Sequence, residues 1–238
     1  MADKFDSSSR ILIAKHDEQV DATMRLVWPS SKENSYYLRF FDMPKNWLKI
    51  SECVECTSGA VDENYRGDDV FAEDPTVIKL EEKLASVFGM EAGLFCPSGT
   101  MSNQIAIKAH TQPLDEIICD QLSHIYNYET GGWAFHSGVS VRLTQGENGK
   151  MTPAQMEALI LPDFDWYPNT KMVSIENTVN KGGGSVYTIN EMKAIGESCN
   201  KHNLIYHLDG ARLFNALEVL NASPIDLAGI FDSISICL

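Results

Sequence analysis

The residues best suited to chemistry sit in short polar turns beside apolar runs. Ser98-Gly99-Thr100 joins the run Ala92 to Cys96 to a helical stretch reaching Ala109. A helix start offers unbonded N–H groups and a positive dipole, and glycine lets an anion approach the backbone. This turn can therefore hold a phosphate or serve as an ordinary capped turn. Asp209 ends the apolar run Leu204 to Leu208 in His-Leu-Asp-Gly-Ala-Arg. A carboxylate at the end of a buried strand can hold a protonated ligand nitrogen, or cap a helix beginning near Ala211. Arg212 can pair with it or bind an anion. His124 follows the run Glu116 to Cys119, and its imidazole can stack on a planar ring, carry a proton or act as a satisfied polar residue.

Other chemistries find little support. Cys53-Val54-Glu55-Cys56 has no second cysteine or histidine pair at zinc-ribbon spacing, and the sequence after it is not that of a redox helix. His136, His202 and His207 lack ligand spacing, so no metal is expected. Lys181-Gly182-Gly183-Gly184 lacks the strand–glycine–helix setting of a dinucleotide site and reads as a tight loop with Asn177 and Asn180.

The elements that must position these groups follow from periodicity. Asp74 and Pro75 start a helix whose apolar face is Val77, Leu80, Leu84, Val87 and Phe88, with Gly89 at its end. Short branched runs at Glu116–Cys119, Val139–Leu143, Met172–Ile175, Leu204–Leu208 and Ser233–Cys237 read as strands. Helical patterns lie between most of them, at Thr152–Leu161, Thr188–His202 and Ala211–Leu220, and Thr188 with Glu191 makes a capping box. Asp21 to Val27 also reads as helical. The alternation predicts an α/β domain with helices on both faces of a largely parallel sheet, where ligands bind beyond the strands' carboxyl ends.

A chain of 238 residues with a net charge of −14 is poorly suited to nucleic acid or anionic membrane surfaces. It has no apolar stretch of membrane-spanning length, its opening lacks a secretory core, and its six cysteines are too sparse for a disulfide scaffold. A reduced, cytoplasmic globular protein is the expectation.

The order of the motifs is more specific than any one of them. Gly67-Asp68-Asp69, Glu73-Asp74-Pro75-Thr76, Ser98-Gly99-Thr100-Met101-Ser102-Asn103, His124, Glu176-Asn177-Thr178 and His207-Leu208-Asp209-Gly210-Ala211-Arg212 follow one another. This resembles the L-threonine aldolase and aromatic amino-acid β-eliminating lyase family of pyridoxal 5′-phosphate enzymes, over roughly residues 67–238. The resemblance implies the three-layer large domain of pyridoxal-phosphate fold type I, with a mostly parallel mixed sheet flanked by helices. Residues 51–238 would form that cofactor-binding domain, incomplete at its C-terminus, and residues 1–50 a leader packing on the small or large domain. Ser98, Gly99, Thr100 and Asn177 would bind the cofactor, with the phosphate at Gly99 and Thr100. His124 would stack on the ring, Asp209 would keep the ring nitrogen protonated, and Arg212 would meet the cofactor or substrate carboxylate; these last three form the catalytic set.

The implied reaction is cleavage of threonine or allo-threonine to glycine and acetaldehyde. β-Elimination or transamination on the same cofactor is the alternative, and an inactive truncated chain a third. The implied partners are a small amino-acid substrate and identical subunits, as a homodimer or homotetramer. Two departures stand out. The family's cofactor-linking lysine follows the strand that here ends at Leu238, so more chain is expected, and Cys53 to Ala60 lacks the arginine family members carry there.

Overall fold

The computed structural model describes residues 9–16, 19–27 and 74–238. The expected leader lies outside them except for two strands, β1 (Ser9–His16) and β2 (Gln19–Val27), paired antiparallel. Asp21–Val27 is thus strand rather than helix. Val20, Ala22, Met24 and Leu26 alternate with polar residues, and that period of two prevails over the helical reading. The Cys53–Cys56 motif and Gly67 to Glu73 lie outside the described residues.

The first helix, α1 (Pro75–Phe88), begins as its sequence dictates: Asp74 Oδ1 accepts from the amides of Thr76 (2.8 Å) and Val77 (3.1 Å). The apolar run Ala92–Cys96 is a loop, not a strand. Phe95 N–H donates to Glu81 Oε1 at 2.7 Å, and a Cβ on Gly93 would lie 2.6 Å from the Glu81 carbonyl oxygen, so this segment is tied to α1 instead of a ladder.

Residues 85–91 and 96–238 form a compact unit that carries everything below. Its elements alternate as expected: α2 (Gly99–His110), β3 (Asp115–Asp120), α3 (His124–Asn127), α4 (Gly132–Ser137), β4 (Ser140–Thr144), α5 (Pro153–Glu157), β5 (Asn169–Glu176), α6 (Ile189–Lys201), β6 (Ile205–Gly210), α7 (Leu213–Leu220) and β7 (Ser233–Ile236). Among the described residues the strands lie in the order β4-β3-β5-β6-β7 and every pair is parallel, in keeping with the mostly parallel sheet expected. α5 is shorter than the predicted Thr152–Leu161. Thr152 caps it, but Leu161 N–H donates to Thr170 Oγ1 on β5, which turns the chain out of the helix.

Successive residues of a strand face opposite ways. On β6, Tyr206 lies against α6, where a Cβ on Gly196 would touch its ring at 3.4 Å, whereas His207 meets Asn103 of α2. Helices α2 and α6 therefore cover opposite faces of the sheet. Asp209, two residues after His207, shares the α2 face. Ile107, Ile117, Cys119, Ile125, Val139 and Met172 form the apolar core beneath α2. No described helix is long and apolar enough to cross a membrane.

Candidate active site

The carboxyl ends of β3, β5 and β6 carry His124, Glu176 and Asp209, and α2 begins beside the end of β7. Ser98 caps α2, its Oγ accepting from Met101 N–H at 3.2 Å. Gly99 leaves little room beside it: a Cβ there would lie 3.0 Å from Cys237 Sγ just beyond β7. Ser102 hydrogen-bonds Gly99 O at 2.9 Å and also the Ser235 hydroxyl, which fixes the first turn of α2 on β7. Thr100 is exposed in that turn, where the first amides of a helix have no partner within it and that of Met101 is taken by Ser98.

One turn into the helix, about 5.4 Å along its axis, Asn103 reaches the end of β6. Its Nδ2 donates to Asp209 Oδ2 at 3.0 Å and to Glu129 Oε1 at 2.9 Å. Asn103 thus ties α2 to the Asp209 carboxylate. Asp209 is 2% exposed and does not cap the following helix; Arg212 holds that place, while Asp209 Oδ1 accepts from Ala211 N–H at 3.2 Å. Burial, with the Glu176 carboxylate opposite it on β5, pushes the Asp209 carboxyl up to about 6.

His124 begins the single turn α3 after β3. Its backbone N–H donates to Glu176 Oε2 at 2.9 Å, and its Nδ1 lies 3.2 Å from Glu129 Oε1. That hydrogen bond to Glu129 raises the imidazole above its ordinary value, with Asp209, Glu129 and Glu176 adding to the effect against its partial burial. The side chain is 33% exposed, which leaves part of the ring open.

Glu176 is buried and accepts from the amides of His124 and Asn180 (3.0 Å), and Arg212 Nη1 stands 3.8 Å from its Oε1. Burial pushes its carboxyl up. Asn177 is fully buried, and the structure does not leave its amide free for a ligand. Nδ2 donates to Tyr187 O and Oδ1 accepts from Tyr187 N–H, both at 3.2 Å. The glycine loop is tight as expected, with Val179 bridged to Ser185 and positive φ at Gly183 and Gly184.

Sequence reasoning missed Glu129. It is 1% exposed and holds three donors: Asn103, Gln104 and His124. It stands alone between the acids Asp120 and Glu147 in an aromatic stretch, an isolation that could have flagged it. Ligand-type atoms of His124, Glu129 and Asp209 lie within 4.8 Å of one another. Because the Glu129 oxygens already accept from three side chains, this cluster is an internal hydrogen-bond network rather than an open metal cradle. Three buried acids, Asp209, Glu129 and Glu176, thus lie with His124 and Arg212 around the end of β6, an acceptor-rich cluster that suits a ligand with a protonated nitrogen for Asp209.

Known proteins carry the same arrangement of sequence. The family model described as beta-eliminating lyase matches residues 57–238. The low-specificity L-threonine aldolase of Candida albicans is 38% identical over 177 residues, covering 72% of this chain and 46% of that protein. The low specificity L-threonine aldolase of Saccharomyces cerevisiae is 40% identical over 177 residues, covering 72% and 45%. The solved threonine aldolase of Leishmania major has 31% identity and a TM-score of 0.58, covering 63% of this chain and 44% of its own. The chain spans about half the length of the curated relatives it matches. With three quarters of its residues matched by the family model and its parallel sheet shared with a solved relative, this chain belongs to the beta-eliminating lyase family.

Proposed function

We propose that this chain supplies the cofactor-binding part of a pyridoxal-phosphate-dependent carbon–carbon lyase. Its reaction is the cleavage of a β-hydroxy-α-amino acid, threonine or allo-threonine, to glycine and acetaldehyde. The beta-eliminating lyase and threonine aldolase families depend on pyridoxal phosphate, which when bound supplies a protonated ring able to accept the electron pair left at the substrate's α-carbon. The observation that carries the reading is the buried Asp209 carboxyl, tied by Asn103 to a helix that opens with Ser98-Gly99-Thr100. A ring N–H⁺ answers the first and a phosphate the second.

In this reading Ser98, Gly99 and Thr100 hold the phosphate through the unbonded amides of α2. Asp209 accepts from the ring nitrogen and keeps its proton in place. His124 lays its open face on the ring, and its Nε2, with Nδ1 held by Glu129, is the atom left to hold or move a proton. Arg212 receives the substrate carboxylate. Asn177 supports the wall behind Glu176 by fixing Tyr187. The reading extends to residues 51–238 as the large domain with a leader over 1–50. It also extends to a cytoplasmic location and a homodimer or homotetramer, which rest on the family resemblance.

The test is product analysis of the natural protein with pyridoxal phosphate and L-threonine or L-allo-threonine. Glycine and acetaldehyde in equal amounts are expected. Ammonia with a keto acid would assign β-elimination instead, and no product from either substrate would overturn the lyase reading.

A further inference from the structure

His207 and Asn103 make no contact that the proposed chemistry uses directly, yet both are buried and fully hydrogen-bonded between the core and the Asp209 carboxylate. The direction of each bond can be worked out. The Asn103 Nδ2 atom faces two carboxylate oxygens, on Glu129 and Asp209, which only accept, so the amide nitrogen must lie there. Its Oδ1 then faces His207 Nε2 at 3.2 Å, so Nε2 carries the hydrogen. Burial, with His110 nearby, pushes His207 down to about 3, so the ring is neutral and Nδ1 accepts. Its donor is the Ser233 hydroxyl at 2.8 Å, whose oxygen in turn lies 3.1 Å from His110 Nε2.

The result is one line of donors, all pointing the same way: His110 to Ser233, Ser233 to His207, His207 to Asn103, and Asn103 to Asp209 and Glu129. Successive members lie on different elements (α2, β7, β6 and α2 again), so the line also pins β6 to α2. We propose that Asn103 and His207 are positioning residues, which hold the Asp209 carboxylate ionised and in a single orientation. This rests on the proposed role of Asp209 toward a ring nitrogen, but the line of donors itself is a property of the chain without any ligand.

The groups that face Asp209 are Glu176 on β5, Glu129 after α3, His124 on α3, Arg212 before α7 and Cys237 after β7, besides Asn103 and the Ala211 amide. A variant at Asn103 leaves those charges in place, so a change in Asp209 titration reads the lost donor. The experiment is carboxyl-carbon NMR titration of Asp209 in the ligand-free chain, with imidazole-nitrogen NMR of His207. In the parent, His207 is expected to hold its hydrogen on Nε2 and to stay neutral between pH 5 and 8, on the order of three pH units of protection from burial. Asn103→Leu and His207→Leu should each raise the Asp209 midpoint by about one pH unit, a tenfold change in acidity. His207→Gln, whose Nε2 can replace the ring N–H, should restore the midpoint to within about 0.3 pH unit.

A hydrogen found on Nδ1 of the parent His207, or an unmoved Asp209 midpoint in both leucine variants, would overturn the proposal. The tautomer is read on the parent alone, so the first outcome stands even where a leucine variant fails to fold. Pyridoxine 5′-phosphate binding separates the two readings. Failure of the parent to bind it counts against the cofactor site, whereas binding with an unmoved midpoint counts against the positioning role.

Discussion

Two glutamates of this protein hold three donors each, and they lie at opposite extremes of solvent exposure. Glu157, at the end of α5, accepts from Ser198 (2.6 Å), Lys201 (3.2 Å) and His202 (3.3 Å), with its side chain 35% exposed. Those hydrogen bonds and the lysine charge hold its carboxyl down at about 2. Glu129 gathers Asn103, Gln104 and His124 in a buried place, with no lysine or arginine among them. The half-exposed network clips one helix to another where water reaches the bonds from Lys201 and His202, though Ser198 is itself buried. The buried one has no such access, so each partner is held in one orientation. Number and length of hydrogen bonds therefore say little about a cluster's role, and burial decides it.

The comparison breaks first at Glu129. Glu129→Ala would leave the Asn103 and Gln104 amides and the His124 ring without an acceptor. A loss of about 3–5 kcal/mol in urea unfolding is expected; a change too small to resolve would mean that water fills the gap as it does at the surface. Next comes Asp209→Ala, expected to lower turnover of the natural protein by roughly 10²–10³-fold while the circular dichroism spectrum stays unchanged. Retained turnover would reduce Asp209 to a local turn residue.

His207 sharpens the burial argument through pH. Its folded value lies below its unfolded one, so between about 3 and 6.5 the unfolded chain binds the extra proton and stability falls as pH falls. From pH 6 to 4 the parent should lose about 2–3 kcal/mol more than His207→Gln, measured by urea unfolding at each pH; parallel curves would contradict the buried neutral ring. A smaller effect is expected at His124. His124→Phe keeps a stacking face and should bind the cofactor several-fold better than His124→Ala, by fluorescence titration. Smallest of all, Glu157→Ala should move the melting temperature by no more than about 2 °C. A larger fall would place the surface cluster beside the buried one.

Much of this was legible in the sequence. The alternation of branched runs with helical spacing identified five parallel strands to within a residue or two at most ends, because fully buried strands leave a continuous apolar signature. Asp74, Thr152 and Thr188 announced their helix starts, since capping is a local interaction. Of the residues named, Ser98, Gly99 and Thr100 do open a helix, and His124, Asp209 and Arg212 do follow the ends of β3 and β6. What stayed hidden was non-local. Ala92–Cys96 has the composition of a strand and lacks one only because Glu81 and the close approach at Gly93 tie it elsewhere. Glu129 lies in no periodic pattern, and its value comes from Asn103, 26 residues away in sequence. The family resemblance implied Asn177 as a cofactor contact, but its amide matches the backbone of Tyr187 ten residues on. Partners across a fold are set by packing, which a single sequence does not display.

The most direct measurement is calorimetric titration of the chain with pyridoxine 5′-phosphate, which carries the ring nitrogen and phosphate but no aldehyde. One molecule should bind per chain, inorganic phosphate should compete, and Asp209→Ala should weaken binding about tenfold or more. Equal binding by the parent and Asp209→Ala, or no binding by the parent, would contradict a single site that grips one small molecule between the start of α2 and the end of β6.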